Sequence, residues 1–187
     1  MIHVERFPSY LEMLSLQTWC GGLGPRWAER RYSVIGREGS VGAIEAATLW
    51  VHIDMATMKP IPVPTDFSDQ FAQATKGRKI SARLHLPSSP SREPDRRGIW
   101  PLRAVDFDVL GHVNNSVYWA MVEEELARFD FSPASVRVTL EHHDAIEPGA
   151  AVVVSVCHEA QTGFDMWVTV GEQRLAGVVR VTLNQGN

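Results

Sequence analysis

A chain of 187 residues, 44% hydrophobic and 21% charged, has the balance of an ordinary globular protein, long enough for one sizeable core or for two small units that share one. Its net charge of -4 and pI of about 6.0 leave no basic excess to attract nucleic acid. No run approaches the roughly 20 apolar residues of a membrane helix, and the opening MIHVERFPSYLEML carries Glu5, Arg6, Pro8 and Glu12 where a signal peptide needs an unbroken apolar stretch.

The first stretch reads as β structure. Residues 11–20, 27–35 and 43–55 are rich in Leu, Val, Ile, Trp and Thr, and turn signals separate them at Gly21-Gly22-Leu23-Gly24-Pro25 and Gly36-Arg37-Glu38-Gly39. The Gly21–Gly24 run is read as a hairpin turn, since no Lys-Ser/Thr follows as a phosphate loop requires. A Pro-rich exit, Lys59 to Pro64, closes the stretch. The two cysteines, Cys20 and Cys157, sit in apolar strand-like runs. They read as buried free thiols of a reducing cytoplasm, so a cytoplasmic location is expected. The six tryptophans are read as core and interface filler.

Residues 76–98 are dense in Pro, Ser and Arg and read as an exposed, solvated connector. This divides the chain into a first unit at 1–75, a linker at 76–98 and a second unit at 99–187. The second unit opens with a strand from Ile99 to Val105, then the loop DFDVLGHVNN, then a helix over 115–129. Tyr118, Met121, Val122, Leu126 and Phe129 recur at three- and four-residue spacing and give that helix one apolar face. Asn114 or Asn115 is its expected N-cap. Glu123, Glu124 and Glu125 are read as a solvated face. Four strands follow at 135–143, 150–158, 164–170 and 174–183, with turns at Pro148-Gly149, Gly163 and Gly171. One long helix with an antiparallel sheet is an α+β arrangement. A strand, a polar Pro-containing break and a longer strand ending in Cys occur in both halves, which suggests a duplicated unit whose first copy lacks its helix and opening strand.

The loop from Asp106 to Asn115 concentrates the polar chemistry. Two acids, an imidazole and two amides stand just before a helix, whose free N–H groups and positive dipole end can hold a carbonyl oxygen that gains charge. Asp108 beside it can act as nucleophile or as general base on water. Gly111 lets a substrate approach the backbone without a Cβ in the way. Asp106 is expected to brace the loop or face solvent. On the strand at 135–144 side chains alternate, so Asp144 shares a face with Leu140 and His142 and can orient a water or His112. His142 and His143 point to opposite faces and cannot share one metal ion, so no metal site is expected.

The run DFDVLGHVNNSVYWAMVEEEL resembles the signature of hotdog-fold thioesterases, in which D-x-D-x-x-G-H-V-N-N-x-x-Y leads into a long central helix. RFPSYLEMLSLQTW, AERRYSVI and ATLWVHIDMATMKPIPVP resemble the end of the first unit of acyl-ACP thioesterases, where two hotdog units are joined in one chain. The resemblance covers about 1–70 and 99–184. It implies a tandem hotdog fold, with a long central helix wrapped by antiparallel sheet and a first unit of strands only, incomplete at its N-terminus. It also implies hydrolysis of fatty acyl thioesters on acyl carrier protein or CoA, without metal or organic cofactor. The residues it assigns as catalytic are Asp108, His112 and Asp144. Gly111, Val113, Asn114 and Asn115 become oxyanion or substrate contacts. Leu110 departs from the functional Asn of the acyl-ACP branch, and Ala145 from its Cys, so the loop is closer to the 4-hydroxybenzoyl-CoA thioesterase type. That departure motivates a second reading, a non-catalytic acyl-binding hotdog protein. A hotdog dehydratase is a third, which the loop motif disfavours. Pseudo-dimeric pairing of the halves is expected, with a homodimer as a further means of covering apolar surface.

Overall fold

The structure is a computed structural model and describes residues 1–36, 43–129, 132–171 and 173–184. Arg37, Glu38 and Gly39 of the expected second turn lie outside the described residues. Two compact units divide the chain, Met1–Leu84 and His85–Asn187. The division falls inside the stretch read as a connector.

The first unit carries an antiparallel sheet of four strands: β1 (Ile2–Val4), β2 (Leu14–Leu23), β3 (Trp27–Gly36) and β4 (Ile44–Val51), in the order β2-β3-β4-β1. The expected hairpin turn at Gly21–Gly24 is displaced. β2 runs on through Gly21 and Gly22 to Leu23, with a register irregularity between Cys20 and Gly22. The chain reverses at Gly24–Arg26, where Gly24 N–H donates to Trp27 O at 2.8 Å. The glycines serve close approach instead: a Cβ on Gly21 would meet Arg31 Cδ at 2.8 Å. Read as strands only, this unit also contains two short helices, α1 (Thr65–Gln70) and α2 (Ala72–Thr75). Pro64, with φ fixed near the helical value, precedes α1, and Asp66 in its first turn complements the dipole. Left-handed Lys76 and Gly77 stop α2.

The second unit is α+β, as expected. It contains β5 (Arg96–Trp100), a 3-10 turn at Ala104–Asp106, α3 (Asn115–Leu126), β6 (Ser135–His142), β7 (Val152–His158), β8 (Gly163–Val170) and β9 (Arg174–Asn184). The antiparallel order is β6-β9-β8-β7-β5. β5 starts and ends earlier than the expected 99–105 strand, because Pro101 has no N–H to continue the ladder. The core consists largely of valines from β7, β8 and β9 with Phe164, Met166, Met121 and Ile146. Not every tryptophan joins it. Trp167 is 3% exposed, whereas Trp50 in the first unit is 57% exposed.

The stretch read as solvated is tied down at its middle, where the second unit begins. Buried Glu141 accepts the amides of His85 at 2.7 Å and Leu86 at 2.9 Å. Trp167 Nε1 donates to Pro87 O at 2.8 Å, and Leu86 packs on the cluster of Cys157, Trp167 and Val178. A carboxylate that satisfies two amides is a substitute for sheet pairing, so this segment follows the sheet without being a strand.

Helix α3 lies on this sheet through Val117, Tyr118, Met121, Val122 and Glu125, all buried. Tyr118 is held at two points: its hydroxyl donates to Ala176 O at 3.4 Å and its ring meets His142 edge-on at 4.8 Å. The ring lies where Gly177 has no side chain, and an added Cβ there would meet Tyr118 Cε1 at 2.7 Å. Gly177→Ala is therefore expected to lift the N-terminal turn of α3 and cost about 1–3 kcal/mol of unfolding free energy in a urea titration. A variant as stable as the parent would show that this contact does not set the helix position.

Candidate active site

The loop before α3 is built by its own hydrogen bonds. Asp106 is buried and closes the 3-10 turn: its carboxylate accepts Arg103 N–H at 2.7 Å and pairs with the Arg103 guanidinium at 2.8 Å. The guanidinium, helped by that amide, holds the Asp106 carboxyl below the usual carboxylate range. Asp106 therefore braces the loop, one of its two expected roles. Asp108 is exposed, and its Oδ1 accepts the amides of Leu110 at 2.9 Å and His112 at 3.1 Å. Its backbone N–H donates to His112 O at 2.8 Å, and Gly111 N–H donates to Asp108 O at 3.0 Å. Gly111 has φ +74°, a conformation that favours glycine. Asp108, Gly111 and His112 thus form one closed turn.

The rest of the segment is committed to the unit beneath it. Val113 N–H donates to Ile146 O at 2.9 Å and Asn114 N–H to Asp106 O at 2.7 Å. Asn114 is the N-cap, and its Oδ1 accepts Ser116 N–H at 3.0 Å. Val117 N–H donates to Asn114 O at 3.0 Å. The amides of Gly111 and Val113, expected as oxyanion donors, are thus already engaged, the first within the loop and the second by Ile146. Among the described residues, the amide in the span 111–117 with no acceptor is that of Asn115, the first residue of α3. Asn115 is one of the four residues the resemblance assigns as oxyanion or substrate contacts; that its amide, and not those of Gly111, Val113 and Asn114, has no acceptor depends on which carbonyls the fold brings near.

Among the described residues no donor reaches Asp108 Oδ2, and no hydrogen bond joins the His112 imidazole or Asp144 to Asp108. Asp144 is exposed just past β6. It stands two residues before Ile146, whose carbonyl holds the loop through Val113, so its segment runs beside the loop. A groove of about 610 Å³ runs from the start of the loop at Asp106 along α3 to Arg128, with Trp100, Val117 and Ala120 as apolar wall; Asp108, His112 and Asp144 are not among its lining residues. No three His, Cys, Asp or Glu side chains among the described residues converge as metal ligands.

Glu125 corrects the solvated-face reading of the helix acids. It is fully buried and pairs with Arg96, with His158 Nε2 at 2.9 Å and with Arg128 Nε at 3.5 Å. Asp95 accepts His158 N–H at 2.7 Å and pairs with Arg92 at 2.7 Å, which extends the network outward. The signal was present: Glu125 lies three and four residues after Val122 and Met121, on the apolar face. Glu125→Ala would leave Arg96 and His158 without their shared acceptor. An expected loss of about 2–3 kcal/mol in chemical unfolding follows, below the cost of a fully stranded charge because the two side chains are 32% and 31% exposed. A loss under about 0.5 kcal/mol, the usual range for a surface change, would contradict it.

Comparison with known proteins bears on the family and the fold. The model of the acyl-ACP thioesterase N-terminal domain matches residues 1–71, and that of the C-terminal domain matches residues 91–182. An uncharacterized protein of Mycobacterium tuberculosis is 29% identical over 143 residues, covering 75% of this chain and 55% of its own length. The chloroplastic oleoyl-acyl carrier protein thioesterase of Coriandrum sativum is 27% identical over 148 residues, covering 68% of this chain and 37% of its own length. The chain thus spans about half or less of the relatives it matches. Among solved structures, the 12:0-ACP thioesterase from Umbellularia californica superposes with a TM-score of 0.80 at 19% identity, over 99% of this chain and 74% of that one. An oleoyl thioesterase (putative) from Lactobacillus plantarum gives a TM-score of 0.71 at 15% identity, over 100% and 74%. These structural likenesses carry the fold, and the two domain matches, which between them take in most of the sequence, carry the family: the chain belongs to the acyl-ACP thioesterases.

Proposed function

We propose that this chain hydrolyses the thioester of fatty acyl groups carried on acyl carrier protein or CoA, with Asp108 as the reacting carboxylate. The observation that carries this reading is the division of labour within one side chain. Oδ1 of Asp108 is held by two amides and Oδ2 is open, beside a helix start whose Asn115 N–H is also open. The thioester carbonyl oxygen would sit at the Asn115 amide, where the helix dipole stabilises negative charge. Oδ2 would take a proton from water as the water oxygen bonds to the carbonyl carbon. Collapse of the tetrahedral intermediate breaks the C–S bond, and the thiolate recovers the proton. Direct attack by Oδ2, followed by hydrolysis of the anhydride, gives the same products. His112 and Asp144 are assigned supporting roles in placing the water. The groove beside the loop has the volume of a small-molecule site and suits the pantetheine arm. The two units are read as tandem hotdog units, and the two free thiols as those of a cytoplasmic protein.

One observation favours a second reading, an acyl-binding protein without turnover. Leu110 is an exposed apolar side chain at the loop tip, 44% accessible, with no means of hydrogen bonding to a reacting group. Wild type and Asp108→Asn, assayed on a panel of acyl-ACP and acyl-CoA thioesters, separate the two. Asn keeps an oxygen for the Leu110 and His112 amides, so the loop is retained while the base is removed. The expected result is turnover by wild type and a loss of about a hundredfold or more in the variant. Turnover undiminished in Asp108→Asn would overturn the assignment of the residue. A folded wild type that binds these thioesters without consuming them would establish the second reading.

A further inference from the structure

The carbonyl from which the reaction loop hangs belongs to a segment outside the sheet. β6 ends at His142 and β7 begins at Val152. Beyond the last ladder pair, His142 with Gly177, one more backbone bond follows, from His143 N–H to Ala176 O at 2.9 Å. The residues after it have two duties at the site. Ile146 O accepts Val113 N–H at 2.9 Å, and Asp144 is the acid assigned to placing the water. Ile146 is buried, but Asp144 and Ala145 are both exposed. Packing therefore does not fix the direction of Asp144, and a bond from elsewhere has to.

Arg174, the first residue of β9, supplies that bond. Carried on in the β6–β9 register, Ala145 would stand opposite Arg174. The ladder stops short of this pair, and the side chain takes its place: the guanidinium Nη1 donates to Ala145 O at 2.7 Å. Nη2 lies 3.6 Å from Glu147 Oε2, so the fork reaches the segment on both sides of Ile146. A charged donor holds a carbonyl more strongly than a neutral one, and the planar guanidinium fixes the direction of both nitrogens. Its base is firm, because Arg174 pairs with Val170 across the β8–β9 hairpin. The Glu147 contact is longer and exposed, so the bond to Ala145 carries the effect.

We propose that Arg174 is a positioning residue of the reaction site. By holding the Ala145 carbonyl it sets the direction of the neighbouring Asp144 carboxylate. It also keeps the Ile146 carbonyl under Val113, and with it the end of the loop that carries Asp108. Asp144 thereby stands between two fixed backbone points, His143 N–H on Ala176 and Ala145 O on Arg174. Arg174 touches no reacting atom and acts through its neighbours. The part that concerns Asp144 rests on the hydrolysis reading, whereas the part that concerns Val113 rests on hydrogen bonds alone.

The test pairs steady-state hydrolysis of an acyl-CoA with amide hydrogen exchange on the full chain. Arg174→Met is expected to lower kcat about tenfold while KM changes less than about twofold, since the acid is misdirected and the substrate contacts remain. Asp144→Asn is expected to lose a similar factor, and the double variant to be no worse than Asp144→Asn alone. Arg174→Lys, which keeps a charged donor without the fork, is expected to recover part of the loss, and Glu147→Gln to retain wild-type turnover. In Arg174→Met the Val113 amide is expected to exchange about fivefold faster or more, with core amides of β8 unchanged. Unchanged kcat in Arg174→Met, full turnover in Asp144→Asn, or losses that multiply in the double variant would overturn the role through Asp144. A wild type without turnover would refute the hydrolysis reading instead, and exchange still decides the rest: equal Val113 protection in wild type and Arg174→Met would overturn the proposal.

Discussion

Two amides, those of Leu110 and His112, converge on one oxygen of Asp108. This closes a turn of five residues directly against a helix start. A charged acceptor in such a turn makes stronger hydrogen bonds than a neutral one, and it holds the carboxyl group in a single orientation. The remaining oxygen is thereby aimed by the backbone and not by another side chain. The loop needs this, because its tip at Val109 is fully exposed and offers no packing.

The turn in turn depends on what lies beneath it. Val113 hangs the loop on Ile146, Asn114 returns it to Asp106, and Tyr118 seats the first helical turn over Gly177. At the far end of α3, Glu125 fixes the helix to β5 and β7 through Arg96 and His158. A helix held at both ends presents its N-terminal amide in a constant place, which electrostatic catalysis requires. Burial pushes the Tyr118 hydroxyl up to about 12, so it stays a protonated donor to Ala176 throughout the neutral range.

The strands of the second unit were legible because β-branched residues alternate between the turns at Gly149, Gly163 and Gly171. The helix was legible from Tyr118, Met121 and Val122 at helical spacing, and its N-cap from the Asn114–Asn115 pair. Glu125 was misread because three consecutive acids look like a solvated face, although its spacing from Met121 places it on the apolar one. The short helices after Pro64 were hidden by the surrounding prolines, which signal turns more strongly than a six-residue helix signals itself. The engagement of Val113 depends on the carbonyl of Ile146, contributed from beyond β6. The pairing of Glu29 with Arg78 likewise depends on a residue 49 positions further along the chain. Neither is encoded in a local motif, since both follow from tertiary neighbours.

The most direct measurement compares Asp108→Asn with Asp108→Ala for stability and acyl-thioester turnover in the same preparations. If one oxygen builds the loop and the other does the chemistry, both variants lose turnover alike, but only Asp108→Ala also loses about 1–2 kcal/mol of stability, the cost of two amides without an acceptor. Turnover that survives in Asp108→Asn, or equal stability loss in both, would contradict that division.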